Sequence, residues 1–220
     1  MRKRSLEMIL SSLNEVSSPD PELEQYGTPS GIVAEIVLYA HAKGAVEGRR
    51  ILELGCGGAP FIIAAGLLGA SEMTGIEIDP RSVRVALGNL KMVDDRLGTD
   101  LTERTEIIGS DVADTVIEGP FDTVFMNPPF GAQKKGADRP FLDKAIGTNG
   151  EIFSLHNLKG IDFVKRNLTY GGYSVVAEMG YRFPIGHLFT FHTKETEYVP
   201  VVFLHSKPVS KEGEDGQGQP

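Results

Sequence analysis

The chain carries a single cysteine, Cys56, among 220 residues. One thiol excludes an intrachain disulfide and a thiolate zinc cluster, and points to a reducing compartment, here the cytoplasm. Long apolar runs are missing too. The longest, "APFIIAAGLLGA" at 59–70, falls short of the ~20 residues of a spanning helix, so no membrane partner is expected. The opening stretch, "MRKRSLEMIL", is basic but lacks an extended apolar core and a cleavage site, so no secretory leader is expected. A positive excess is absent as well: the net charge is −8, which argues against a nucleic-acid partner. Its distribution softens that argument. Residues 127–187 hold eight Lys/Arg against five Asp/Glu, net +3, which leaves −11 for the remainder. The local excess reads equally as scatter over a solvated surface.

What is present suits one α/β domain with a sizeable core, since 40% of the residues are hydrophobic. Leu6, Ile9, Leu10 and Leu13 recur at helical spacing within 1–18. "SSPDPELEQYGTPSG" is punctuated by Pro and Gly, and a second helix is predicted over 29–43. From Arg49 strands and helices alternate. "RRILELG", "EMTGIEI", "TEIIGSD", "FDTVFMN" and "EIFSLHN" read as strands. "APFIIAAGLLG" and "DPRSVRVALGNLKMV" read as helices, as do 139–146 and 158–169; Asp79 is placed as an N-cap ahead of Pro80. Two late strands, "YSVVAEMGYRF" and "TEYVPVVFLHS", have little between them, and Pro200 puts the last one at an edge or bulge. The whole predicts a three-layer, Rossmann-like architecture with a mostly parallel seven-stranded sheet and one antiparallel edge hairpin. The expected division is helices and a strap over 1–48, the main domain over 49–206, and a disordered tail over 207–220.

In such sheets ligands bind beyond the carboxyl ends of the strands. After "ILEL" comes "GCGGAP", where Gly55 and Gly58 flank Gly57 in a loop that a ligand can approach closely. Glu77 follows Gly57 by 20 residues, the spacing at which an acidic group meets ribose hydroxyls. Pro60 stands where a dinucleotide fingerprint wants glycine. Glu53, two residues before the loop, would repel a pyrophosphate and welcome a ligand bearing an ammonium and a sulfonium. S-adenosyl-L-methionine fits these residues better than NAD; a merely tight turn is the competing reading. Asp111 closes the third strand, either as an acceptor for the adenine amine or as a turn carboxylate. Cys56 reads as a small filler rather than a nucleophile.

"Asn-Pro-Pro-Phe", 127–130, closes the fourth strand over the same crevice. An exocyclic aromatic amine is a poor nucleophile because its lone pair is delocalised. Two acceptors held on its N–H groups pull it toward pyramidal geometry. The Asn127 side-chain oxygen can be one, and the Pro128 carbonyl, stiffened by Pro129, the other. Phe130 can stack on the base, worth roughly 1–3 kcal/mol. A strand-terminating turn is the plainer alternative. Lys134, Lys135 and Arg139 follow in a glycine-flanked stretch, predicted to be mobile and to contact RNA phosphate. His156, His187 and His192 read as core-edge or solvated histidines, without metal-ligand spacing.

"LEQYGTP" (23–29), "ELGCGGAP" (53–60), "GIEID" (75–79) and "FDTVFMNPPFG" (121–131), extended by "KKGADRPFL" and "IFSLH", together resemble the class I S-adenosylmethionine-dependent adenine-N6 methyltransferases. They are most similar to the archaeal and eukaryotic family that modifies an adenosine of small-subunit ribosomal RNA. The resemblance implies cofactor contacts from Gln25, Tyr26 and Thr28, from Glu53, Gly55, Gly58 and Pro60, and from Glu77, Asp111 and Asn127. It places the acceptor motif on Asn127, Pro128, Pro129 and Phe130, and it implies a small zinc-binding activator protein as a possible partner. Relatives often have Asp at the positions of Glu53 and Glu77. A protein glutamine methyltransferase of the release-factor type shares the acceptor chemistry and is the alternative.

Overall fold

The computed structural model describes residues 1–17, 20, 24, 27–131, 136–185 and 197–209. Two helices come first, α1 (Lys3–Leu10) and α2 (Ser30–Ala42). Then follow β1 (Arg50–Leu54), α3 (Pro60–Leu67), β2 (Glu72–Glu77), α4 (Pro80–Leu97), β3 (Thr105–Gly109) and β4 (Thr123–Met126). The chain continues through α5 (Arg139–Gly147), β5 (Glu151–Asn157), α6 (Ile161–Tyr170), β6 (Tyr173–Ile185) and β7 (Glu197–Pro208). The seven strands form one sheet in the order β3-β2-β1-β4-β5-β7-β6. β1 to β5 run parallel, and β7 lies antiparallel to both β5 and β6.

Local chemistry explains the boundaries. Asp79 caps α4 by accepting the Arg81 N–H at 2.9 Å, and Gly98, at φ +67°, ends it. α1 is shorter than its apolar pattern suggests. Ser11 and Ser12 turn their hydroxyls onto the carbonyls of Glu7 and Ile9, offering the backbone a substitute for further helix. The last strand is not at the edge: β7 is internal and β6 is the edge. Pro200 is tolerated there because the β5 ladder begins only at Val201. Lys207 and Pro208, placed in the expected tail, belong to β7; 210–220 lie outside the described residues.

Helices cover both faces. α1, α2, α3 and α4 share one core with Phe125, Phe153 and Phe203 of the sheet. α5 and α6 pack Leu142, Ala145, Val164 and Leu168 against the other face. Phe61 of α3 stacks on Phe125 at 5.3 Å, and Phe125 lies 5.3 Å from Phe153. Gly75 is required by close packing, since a Cβ there would stand 2.8 Å from the Cys56 sulfur. Cys56 therefore fills the gap beneath the glycine loop, as its sequence context suggested. No described helix is long and apolar enough to cross a membrane.

Candidate cofactor and acceptor site

The register puts two loops side by side. Leu54, the last residue of β1, pairs with Ile76 of β2 on one side and with Met126 of β4 on the other. Gly55 and Asn127 thus leave the sheet at the same level. Gly55 and Gly57 take φ of +68° and +52°, and Ala59 takes +63°, before Pro60 opens α3. The Gly55 and Cys56 amides donate to the Ile76 carbonyl. The Gly57 amide donates to Glu77 Oε2 at 2.8 Å, so the 20-residue spacing is a direct contact. Glu77 Oε1 accepts the Asp79 N–H at 2.8 Å.

Glu53 lies beneath this loop, 3% exposed. Its Oε2 accepts the Ile62 N–H at 3.0 Å, in the first turn of α3. Desolvation pushes its carboxyl well above the ordinary range, and the Glu77 charge adds to the rise. Glu77 is likewise raised, first by burial, with the Asp79 charge contributing. A cation bound at the open glycine loop favours the ionised form of these two desolvated carboxyls and an anion disfavours it, so the pair suits a ligand carrying positive charge and hydroxyls rather than a phosphate. The residues present therefore fit S-adenosylmethionine. Burial raises the Cys56 thiol well above its usual range, with Glu53 and Glu77 adding to it, so it is no nucleophile. Asp111 turns Oδ1 onto the Ala113 N–H at 2.8 Å, as a turn carboxylate at the end of β3.

Asn127 follows β4. Its Nδ2 donates to Thr28 Oγ1 at 3.0 Å, which brings the segment before α2 onto the acceptor corner. Its Oδ1 is buried and has no hydrogen-bond partner among the described residues. An oxygen left so costs about 1–3 kcal/mol, a cost offset when a ligand donor arrives. Pro128 is buried; Pro129 and Phe130 are half-buried. Phe130 meets Phe183 of β6 edge-on at 5.9 Å. His156 lies two residues past Ser154, the β5 partner of Met126. Its Nε2 meets the Ser154 hydroxyl at 2.8 Å, and burial holds its pKa down to about 3, so the ring is neutral.

The structure thus brings together Thr28, the loop from Gly55 to Pro60, Glu77 and Asn127. Arg139 opens α5, exposed, 3.9 Å from Asp143. Gln25, Tyr26, Lys134, Lys135, His187 and His192 lie outside the described residues.

Two residues escaped the sequence reading. Asn89 of α4 is fully buried. It accepts the Asn14 N–H at 2.8 Å and donates to the carbonyls of Asn14 and Gly58 at 3.1 and 3.0 Å. The available signal was an asparagine on the apolar stripe of Ala86, Leu90 and Val93. Phe141 of α5 packs where a Gly55 Cβ would lie, at 2.9 Å, and nothing local in the sequence marks it.

The profile of the methyltransferase small-domain family matches residues 34–153. The rRNA N(6)-adenosine-methyltransferase of Drosophila melanogaster is 33% identical over 92% of this chain and 95% of its own. An uncharacterised protein of Methanocaldococcus jannaschii is 32% identical over 93% of each chain. The crystal structure of a proposed RNA methyltransferase from Pyrococcus horikoshii superposes with a TM-score of 0.84 at 31% identity, covering 96% of this chain and 99% of that one.

Proposed function

The chain belongs to the methyltransferase small-domain family, and from that premise we propose that it methylates the N6 amine of an adenosine in RNA, ribosomal RNA of the small subunit first of all. The observation that carries the reading is the buried Asn127 Oδ1 beside the glycine loop, which has no hydrogen-bond partner among the described residues. A planar amine offers two N–H donors, and this oxygen takes one.

Bound at the loop, S-adenosylmethionine supplies a methyl group made electrophilic by its sulfonium. In this reading Glu77, which holds Gly57, accepts from the ribose hydroxyls, and Glu53, which holds Ile62, offers its carboxylate to the cationic ligand from below. The Pro128 carbonyl is the second acceptor for the amine, held by the stiff Pro128–Pro129 pair. Phe130 offers its ring to the base, steadied by Phe183. Asn127 is an amide and takes up no proton, so the corner works by positioning. The product nitrogen sheds its proton to water. Lys134, Lys135 and Arg139 are proposed to hold the RNA backbone. A small zinc-binding activator protein belongs to the proposal as a partner, tested by assaying the chain with and without it.

The experiment is radiolabelled methyl transfer to deproteinised ribosomal RNA, DNA and release factor, with nucleoside analysis of the labelled product. N6-methyladenosine in ribosomal RNA is the expected outcome; label confined to protein overturns the reading. Asn127→Ala is expected to abolish transfer with cofactor affinity nearly unchanged. A collapse of cofactor binding would show that Asn127 serves the cofactor instead.

A further inference from the structure

An asparagine side chain has two ends of nearly equal size, one accepting and one donating. At the acceptor corner the choice between them decides everything. With Oδ1 forward, an amine N–H finds an acceptor; with Nδ2 forward, two donors face each other and the lone pair gains nothing. Something must hold the orientation.

We propose that Thr28 is a positioning residue for the acceptor corner: its hydroxyl oxygen accepts the Asn127 Nδ2–H and so turns Oδ1 toward the incoming amine. The two residues are 99 apart in sequence and 3.0 Å apart in space. This contact is therefore a feature of the tertiary fold rather than a local turn. Thr28 itself is well anchored. Pro29 follows it, which restricts Thr28 to extended backbone. The Pro29 carbonyl accepts from the Ile32 and Val33 amides at the start of α2. α2 is in turn buried through Val33, Ala34, Ile36, Val37 and Ala40. A side chain held by a rigid, core-packed element is what orientation to a few tenths of an ångström requires. The other end of the same amide, Oδ1, is left buried and unpartnered among the described residues. One end of Asn127 is thus held by the protein while the other is kept for a ligand. The resemblance assigns Thr28 to the cofactor; the geometry assigns its hydroxyl to Asn127. This inference rests on the amine-methylation reading.

Thr28→Val keeps the shape and removes the hydroxyl, and Thr28→Ser restores it. Two readouts separate the possibilities. In the cofactor-free protein, the side-chain amide of Asn127, identified by its loss in Asn127→Ala, is followed by proton exchange in NMR. Protection is expected in the wild type and in Thr28→Ser, and its loss in Thr28→Val. In single-turnover methylation at saturating cofactor, Thr28→Val is expected to lose roughly 10–100-fold in rate. Its cofactor affinity should stay within about threefold, with Thr28→Ser recovering most of the rate. Unchanged exchange in Thr28→Val, or a loss confined to cofactor affinity, overturns the proposal. Should the wild type methylate no adenosine, the functional reading fails on its own, while the exchange measurement still decides what Thr28 holds.

Discussion

Glu53 has two possible roles, and its chemistry ties them together. Its carboxylate caps the first turn of α3 through Ile62 and lies near Glu77, and desolvation raises its pKa. A raised carboxyl is more protonated in the folded chain than in the unfolded one. Its stabilising contribution is complete below the ordinary value of 4.5 and is lost as pH rises through the higher folded value. Glu53→Gln keeps an oxygen for the Ile62 N–H and removes the charge. The cofactor-free variant should melt higher than the wild type at pH 8, by roughly 2–4 °C for each kcal/mol recovered. That advantage should shrink as pH falls toward the ordinary carboxylate range, and calorimetry across the pH series measures it. The same change should weaken cofactor binding about tenfold, or ~1.4 kcal/mol, because a cationic ligand loses a nearby negative charge. Equal melting at every pH would mean that Glu53 carries no penalty. The sequence showed Glu53 and its neighbourhood to the glycines. It could not show the cap, which exists only because α3 folds back over the end of β1.

Elements were legible where their ends carry chemistry. α4 has Asp79 and Pro80 at its start and Gly98 at its stop, and each does what its residue type suggests. The 20-residue interval from Gly57 to Glu77 closes into a hydrogen bond, because one βαβ turn returns the chain to the neighbouring strand. α1 was overestimated because apolar spacing persists to Leu13 while Ser11 and Ser12 already close the turn. The side-chain clasp between elements was illegible, since Asn89 reaches Asn14 across 75 residues. That clasp fastens the N-terminal segment and the Gly58 carbonyl to one helix. Asn89→Ala removes three hydrogen bonds made by a buried side chain to the backbone of Asn14 and Gly58, and should cost about 1–3 kcal/mol in denaturant unfolding. It should also weaken cofactor binding, because the glycine loop loses a support. Lys91→Ala, exposed on the same helix, should fall within about 0.5 kcal/mol of the wild type. If Asn89→Ala and Lys91→Ala behave alike, the clasp carries no weight.

At the scale of the whole molecule, sheet topology concentrates the chemistry. Five parallel strands send the loops that follow them to one rim, and Thr28, ahead of α2, reaches Asn127 there. The alternation of strands and helices made this rim foreseeable. The swap of β6 and β7 was not, because an antiparallel pair can join a sheet by either strand and only packing decides. Charge is the remaining property of the molecule as a whole. A chain of net −8 must hold an anionic polymer through a local excess, and residues 127–187 supply net +3. With Lys134, Lys135 and Arg139 as three phosphate contacts to a single strand, the logarithm of the binding constant should fall against the logarithm of salt with a slope of about −2. Replacing all three by alanine should bring that slope close to zero and weaken binding of unrelated RNA sequences alike, because phosphate contacts carry no base information. Cofactor affinity should not change. Fluorescence anisotropy with a short unpaired RNA over a salt series gives the slope. If the triple variant keeps the wild-type slope, the RNA backbone is held by other cations of the 127–187 segment, such as Lys159 or Arg182.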